Sequence, residues 1–237
     1  ELGISTFDHA DIYGGYKVEE IYGDAISKKP SLRDKIQIIT KCNIVYPTET
    51  TGVKHYNTSE DYIISQVERS LRGFQTDYID LLLLHRPDPL MDPEEINRAF
   101  LKLKESGKVR NFGVSNFTPD YFRMLESYLK VPLITNQIQV SPLHLENFEN
   151  GNINLCLEKR IHPMIWSPLG GGRIFKADSE KEGRIKESLQ IVGKEIGAES
   201  IDEVAFAWLL SHPVGAVPIT GSSNIQRVKK AVSALKY

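Results

Sequence analysis

Short apolar runs alternate along the chain with longer segments whose apolar residues recur at helical spacing. The run IDLLLLH at 79–85 has no polar alternation, which indicates a strand covered on both faces, as in a parallel sheet. The apolar residues between Ile96 and Leu103 follow an i, i+3, i+4, i+7 pattern, which predicts an amphipathic helix. This alternation is typical of repeated βα units.

Seven such strands are predicted from the apolar and β-branched runs. They are Ser5–Asp8, Ile36–Lys41, Ile79–His85, Val109–Ser115, Ile134–Val140, Met164–Ser167 and Ala216–Ile219. Four helix starts carry capping signals. They are a capping box at Thr58–Asp61, caps followed by proline at Asp92 and Thr118, and the stretch Ser200–Glu203.

These strands suit either a closed barrel or an open doubly wound sheet. The chain has no glycine-rich GxGxxG turn after an early strand, which favours the barrel. Gly3 is typical of a helix C-cap directly before a strand, so a helix ending at Leu2 is expected to lie mostly upstream. We therefore expect a (β/α)8 TIM barrel without its first βα unit, in a single domain over residues 1–237 that is part of a longer polypeptide.

Composition narrows the class of protein. The 237 residues are 41% hydrophobic, enough for one large core, and the formal net charge is −2 with charges of both signs interspersed. No basic face suits nucleic acid, and no apolar run is long enough to span a membrane. Cys42 and Cys156 lie far apart without zinc-ligand spacing, so we expect no disulfide, no metal and a reducing cytoplasm. Nothing in the sequence indicates the oligomeric state.

Polar side chains follow nearly every predicted strand, at the end where barrel enzymes place their chemistry. Lys41 follows the apolar run IQIIT and needs an internal partner, which Asp8 can provide. Tyr13 would then lie close enough to the ammonium for its pKa to fall, making it a usable general acid. His85 would hydrogen-bond the substrate oxygen to which Tyr13 gives its proton. His9 and Asp11, from the same stretch FDHADIYGG, are interpreted as ordinary loop residues.

The motifs FDHADIYGG, ITK, LLLLHRPD, GVSNF, NQIQVSP, WSPLGGG and PITGSSN resemble those of the aldo-keto reductases, in order and over nearly the whole chain. The resemblance implies a (β/α)8 barrel that reduces aldehydes or ketones with a nicotinamide cofactor, usually NADPH. It also implies that the four catalytic positions are Asp8, Tyr13, Lys41 and His85.

The same resemblance implies a set of cofactor-binding residues. Ser115, Asn116 and Gln137 would hold the carboxamide, Trp166 would stack on the nicotinamide, and Ser167, Leu169, Gly170, Gly171 and Gly172 would follow the pyrophosphate. Gly221, Ser222, Ser223 and Arg227 resemble the contacts to the 2′-phosphate. Many family members carry Lys at the position of Gly221, so a clear but not extreme preference for NADPH over NADH is expected.

Two other functions stay open from the sequence. The family includes NADPH-binding regulatory subunits associated with ion channels, and some unrelated barrels are metal-dependent hydrolases, for which ligand spacing is missing here. The substrate is expected to be a small carbonyl compound, with Tyr46 and His144 as candidate pocket residues. Trp208, in the apolar stretch AFAWLLS, is expected in the packing between helix and barrel.

Overall fold

The computed structural model describes residues 2–47 and 52–237. The chain forms two compact units, an N-terminal unit of residues 3–134 and a C-terminal unit of residues 135–237 together with Leu2. Each of the seven predicted strands is present within two residues of its predicted bounds. The predicted helix ending at Leu2 lies outside the described residues.

The N-terminal unit contains four parallel strands in the order β1-β2-β5-β6. Its strands are β1 (Thr6–Asp8), β2 (Gln37–Cys42), the short antiparallel pair β3 (Ile44–Val45) and β4 (His55–Tyr56), β5 (Ile79–Leu84) and β6 (Val109–Ser115). Its helices are α1 (Tyr13–Tyr16), α2 (Val18–Ser27), α3 (Glu60–Phe74), α4 (Pro93–Glu105) and α5 (Pro119–Tyr128), with a 3-10 segment at Pro30–Lys35. Every residue of β5 is buried, as its unbroken apolar run predicts.

The C-terminal unit contains three parallel strands in the order β7-β8-β9. Its elements are β7 (Leu133–Gln139), α6 (Glu146–Glu149), α7 (Asn152–Lys159), β8 (Met164–Trp166), α8 (Glu180–Ile196), α9 (Ile201–Leu210), β9 (Val217–Pro218) and α10 (Ile225–Ser233), with 3-10 segments at Gly170–Phe175 and Ala234–Lys236. Strand β7 begins in the last two residues of the N-terminal unit. Ile138, Ile165 and Ala216 form part of the apolar core of this unit.

Three of the four predicted helix starts are confirmed. Asp92 Oδ1 accepts from Glu94 N at 2.9 Å, Thr118 caps α5, and Ser200 precedes α9. The predicted capping box at Thr58 is wrong. Ser59 is the N-cap of α3, and Asn57 Oδ1 accepts from its backbone N–H at 3.0 Å, so the turn before the helix is stabilised by an asparagine instead.

Helices α2 and α3 pack with their backbones in near contact. A Cβ atom on Gly23 would lie 2.0 Å from the carbonyl oxygen of Gly73, a distance at which one backbone would have to move. In the same helix α2, Glu19 Oε1 accepts a hydrogen bond from Thr40 Oγ1 of β2 at 2.6 Å. The residue next to Lys41 is thereby tied to α2.

Candidate active site

Strands β1 and β2 run side by side. Asp8 is the last residue of β1, and Lys41 is the next-to-last residue of β2. The Lys41 side chain is fully buried, and its Nζ donates to Asp8 Oδ2 at 2.8 Å and to the His9 carbonyl oxygen at 2.6 Å. Burial lowers the pKa of Lys41, and the Asp8 carboxylate opposes that shift. The ion pair expected from the sequence is therefore present, and its lysine side chain has no exposed surface.

Tyr13 and His85 lie beside this pair. The Lys41 Nζ is 5.2 Å from the centroid of the Tyr13 ring, and the Tyr13 and His85 ring centroids are 6.0 Å apart at 79°. His85 directly follows β5, and its backbone N–H donates to the Cys42 carbonyl at 2.9 Å, which fixes it beside β2. All four predicted catalytic side chains are thus brought together in the N-terminal unit.

The pKa of Tyr13 differs from the sequence-based expectation. Burial, followed by the negative charge of Asp8, raises the pKa of Tyr13 to about 12, although 39% of the residue is exposed and Arg86 opposes the rise. We expected Lys41 to lower it. That expectation was wrong for this structure because the lysine charge is largely compensated by Asp8 at 2.8 Å, so the phenol experiences little net positive potential.

His85 is uncharged at neutral pH. Burial, then the positive charges of Lys41, Arg86 and Lys54, lower its pKa to about 3. Its Nδ1 is buried without a hydrogen-bond partner in the described ranges 2–47 and 52–237. A neutral imidazole can donate a hydrogen bond from one ring nitrogen without competing for the proton of Tyr13.

Ser115 and Asn116 complete the predicted residues of this unit. Ser115 ends β6 and is buried, and Asn116 follows it in the left-handed conformation with φ of 61°. Asn116 Nδ2 donates to Ser115 Oγ at 2.8 Å and contacts the His85 carbonyl oxygen at 3.4 Å. The structure therefore joins these two residues to the backbone of His85.

In the C-terminal unit, Gln137 and Trp166 lie on paired strands. Gln137 is paired with Met164 in the register of β7 and β8, and its side chain is buried. Trp166 ends β8, and Ser167 follows it with φ of 50°, which turns the chain into the glycine segment. These side chains are the polar and aromatic groups that the resemblance assigns to the nicotinamide.

The glycine segment has the geometry of an anion-binding turn. Gly170, Gly171 and Gly172 have φ of 58°, 64° and 86°. Residues other than glycine rarely adopt this left-handed backbone conformation. A Cβ on Gly171 or Gly172 would meet no atom within 4 Å, whereas one on Gly170 would lie 2.9 Å from Leu143 Cδ1. The segment is packed on one side and open on the other, which fits the approach of a pyrophosphate to its backbone.

The predicted 2′-phosphate residues surround the start of α10. Asn224 is the N-cap of this helix, Ser222 Oγ accepts from Asn224 N at 3.1 Å, and Arg227 lies exposed in the first turn. Gly221 and Ser223 are exposed as well. The Ser222 hydroxyl keeps its proton for an outside acceptor, so hydroxyl, guanidinium and helix N-terminus together fit a phosphate group.

His9 and Asp11 are buried, which differs from their interpretation as ordinary loop residues. The His9 ring packs 4.4 Å from Tyr22, and burial lowers its pKa to about 4. Asp11 is 2% exposed, and neither of its carboxyl oxygens has a hydrogen-bond partner in the part of the chain that the structure describes. Burial, then the charge of Glu19, raises the Asp11 pKa to about 7. No pattern in the sequence distinguishes these residues from solvated loop positions.

The described residues contain neither a candidate metal site nor a candidate membrane span. No group of three or more His, Cys, Asp or Glu residues there could hold a metal ion. No helix of residues 2–47 or 52–237 is long and apolar enough to cross a membrane.

Among the candidate pocket residues, Tyr46 is 38% exposed, with Lys54 Nζ 5.6 Å from its ring centroid.

Comparisons with known proteins show the family of this chain. The family described as "Aldo/keto reductase family" matches residues 1–237. "Uncharacterized oxidoreductase YcsN" of Bacillus subtilis (strain 168) is 53% identical, over 99% of this chain and 79% of the relative. "6-dehydroglucose reductase" of Agrobacterium fabrum is 48% identical, over 99% of this chain and 78% of the relative.

A solved structure supports the fold. The thermostable aldo-keto reductase Tm1743, crystallised with the inhibitor epalrestat, has a TM-score of 0.82 and 26% identity, over 97% of this chain and 76% of that chain. The predicted α/β fold of TIM-barrel type is thereby confirmed. The protein is an oxidoreductase, and its chain belongs to the aldo/keto reductase family.

Proposed function

We propose that the protein reduces an aldehyde or ketone to an alcohol with NADPH, and that Tyr13 is the general acid. The observation that carries this proposal is the buried Lys41–Asp8 ion pair, with the ring of Tyr13 5.2 Å from the ammonium and His85 beside it. Such a cluster has a proton donor, a neutral hydrogen-bond donor and a fixed positive charge within one small region.

Each residue has a distinct chemical role in this proposal. NADPH supplies the hydride when it is bound. Tyr13 remains protonated at neutral pH, because its pKa is about 12, and gives its proton to the oxygen of the carbonyl group. Lys41 offsets the charge of Asp8, which would otherwise oppose the phenolate that forms at that moment, and Asp8 keeps the ammonium in place. Neutral His85 donates a hydrogen bond that orients the carbonyl.

The cofactor residues are proposed from the family resemblance, and the geometry of the glycine segment and of the α10 start supports their part of it. Ser115, Asn116 and Gln137 hold the carboxamide, and Trp166 stacks on the nicotinamide ring. Ser167, Leu169 and Gly170–Gly172 bind the pyrophosphate, and Gly221, Ser222, Ser223 and Arg227 bind the 2′-phosphate. We further propose that residues 1–237 function as a single barrel domain in the cytoplasm.

A hydroxylated aldehyde is the substrate class that we propose to test first. The relative at 48% identity is named for 6-dehydroglucose, a sugar that carries an aldehyde. The alternative of a regulatory subunit with little turnover is not favoured, because relatives at 48% and 53% identity are named as a reductase and an oxidoreductase. The presence of all four catalytic side chains in one cluster also supports turnover.

The direct test is steady-state oxidation of NADPH, followed at 340 nm with a panel that includes 6-dehydroglucose, simple aldehydes and ketones. We expect carbonyl-dependent oxidation with at least one member, and no such activity with the corresponding alcohols. NADPH binding without turnover over the whole panel would instead favour the regulatory function.

A further inference from the structure

Arg173 follows the glycine segment directly and is held along one edge of its guanidinium. Its Nε and Nη2 both donate to Glu182 Oε1, at 2.7 Å and 2.6 Å. The Glu182 side chain is only 3% exposed, and its other oxygen accepts from the backbone N–H of Asp178 at 3.0 Å. The carboxylate is therefore fixed on both oxygens, and it fixes the arginine in turn.

The opposite edge of the guanidinium faces solvent. The Arg173 side chain is 62% exposed, although one edge is bound to a nearly buried carboxylate. Arginine has five N–H donors in a planar fork, and the contacts with Glu182 use the edge that contains Nε. The remaining donors form a fixed cationic edge beside Gly172.

The backbone around Arg173 is braced as well. Its carbonyl oxygen accepts from Lys176 N at 3.0 Å, and Lys186 Nζ, on α8, donates to the Phe175 carbonyl oxygen at 2.9 Å. Helix α8 thus supports the 3-10 segment Gly170–Phe175 at two points, through Glu182 and Lys186. A pre-organised arginine loses less conformational entropy when it binds an anion.

We propose that Arg173 is a further cofactor-binding residue, whose free guanidinium edge donates to the pyrophosphate of the dinucleotide while Glu182 positions it. The inference rests on the proposed NADPH-dependent function. It combines the open left-handed run of three glycines with a cation fixed immediately after it. Since NADH and NADPH share the pyrophosphate, Arg173 contributes equally to both.

The test is a set of dissociation constants measured by calorimetry for NADPH, NADH and adenosine 2′-monophosphate, which lacks the pyrophosphate. We expect Arg173→Gln to weaken both dinucleotides by about tenfold or more, since a charge-assisted contact is lost, and to leave adenosine 2′-monophosphate unchanged. Arg173→Lys, which retains the charge, should recover part of the loss.

Arg184→Gln is the matched control. Arg184 is paired with Glu180 on the same helix, with both side chains largely exposed, so its loss removes an equal charge without breaking the Arg173–Glu182 contact. We expect its three dissociation constants to match the wild type. Circular dichroism of each variant checks that the fold is kept.

The outcomes separate the two proposals. Unchanged dinucleotide affinity in Arg173→Gln, with normal binding by the wild type, would overturn the role of Arg173 alone. Equal weakening of all three ligands would also overturn it, because Arg173 would then only support the fold. A wild-type protein that binds neither dinucleotide would overturn the proposed function together with this inference.

Discussion

Lys41 and Asp8 form an ion pair of 2.8 Å in which the lysine side chain has no exposed surface. Removing one partner of a buried pair leaves the other charge uncompensated, which typically costs about 3–5 kcal/mol. Because the same ammonium lies 5.2 Å from the Tyr13 ring centroid, the pair links the stability of the N-terminal unit to its proposed chemistry.

Lys41→Met should therefore lower turnover and move the pH dependence of alcohol oxidation. In that direction Tyr13 acts as a base, so the wild-type rate should rise with pH over the alkaline range, below its pKa of about 12. Loss of the ammonium leaves the Asp8 carboxylate uncompensated beside the phenol and raises the Tyr13 pKa further, so the rise in rate should shift to higher pH. The measurement is the initial rate of NADP⁺ reduction with an alcohol substrate between pH 7 and 11.

Lys54→Met is the control for that experiment. Lys54 is exposed, but it acts electrostatically on His85, so its removal changes the local charge without breaking the Asp8 pair. The pH dependence of alcohol oxidation by Lys54→Met should coincide with that of the wild type. If Lys41→Met also left the profile in place, Lys41 would serve packing and not catalysis.

Asp11 should make the free energy of unfolding depend on pH. Its pKa is raised from the ordinary value near 4 to about 7, so the folded state holds a proton that the unfolded state releases, and stability falls as pH rises through this window. Between pH 5 and 8 the loss should be on the order of 2–3 kcal/mol. Asp11→Asn should remove most of this decline in urea unfolding at the two pH values. Equal declines in variant and wild type would mean that Asp11 is ionised throughout.

Much of the fold and of the site could be predicted from the sequence because both follow from short-range patterns. The unbroken apolar run of β5 identifies a strand buried on both faces, and the ends of parallel strands place Asp8, Lys41 and His85 at one edge. A lysine after an apolar run requires an internal acid, and Asp8 is that acid.

The features that the sequence could not predict depend on long-range packing. Asp11 is 2% exposed, and α2 and α3 approach each other through Gly23 and Gly73, a contact between segments about fifty residues apart. Burial and the charge of Asp8 raise the pKa of Tyr13, and Arg86 lowers it. Which effect is larger depends on distances between side chains, which the sequence does not give. The N-cap of α3 is Ser59, one residue after the predicted Thr58, and Asn57 Oδ1 accepts the Ser59 backbone N–H.

Arg227→Ala should weaken NADPH binding and barely change NADH binding. Arg227 lies exposed in the first turn of α10, where a guanidinium contact to a 2′-phosphate is worth roughly 1.5–3 kcal/mol, a factor of ten or more. The salt dependence of NADPH binding should also become weaker, since one screened contact is lost. Dissociation constants at two salt concentrations measure both effects. If NADH binding were weakened as much as NADPH binding, Arg227 would support the fold or contact the adenine, and it would not bind the 2′-phosphate.

Tryptophan fluorescence tests the stacking assigned to Trp166. NADPH should quench the emission of the wild type, and Trp166→Leu should abolish most of the change. Trp208→Phe is the control. The expected burial of Trp208 between helix and barrel was wrong, since 37% of it is exposed and its ring lies 5.9 Å from Phe148. If both variants lost the quench equally, the assignment of Trp166 would fail.

The central claim is that Tyr13 protonates the carbonyl oxygen, and the Tyr13→Phe variant tests it most directly. The phenylalanine ring preserves the contact with His85 and the face toward Lys41 but lacks the hydroxyl proton. The measurement is kcat for NADPH-dependent carbonyl reduction, together with the dissociation constant of NADPH in the same preparation. We predict a fall in kcat of about 10²–10⁴-fold with nearly unchanged NADPH affinity, and a variant that retained wild-type kcat would contradict the account.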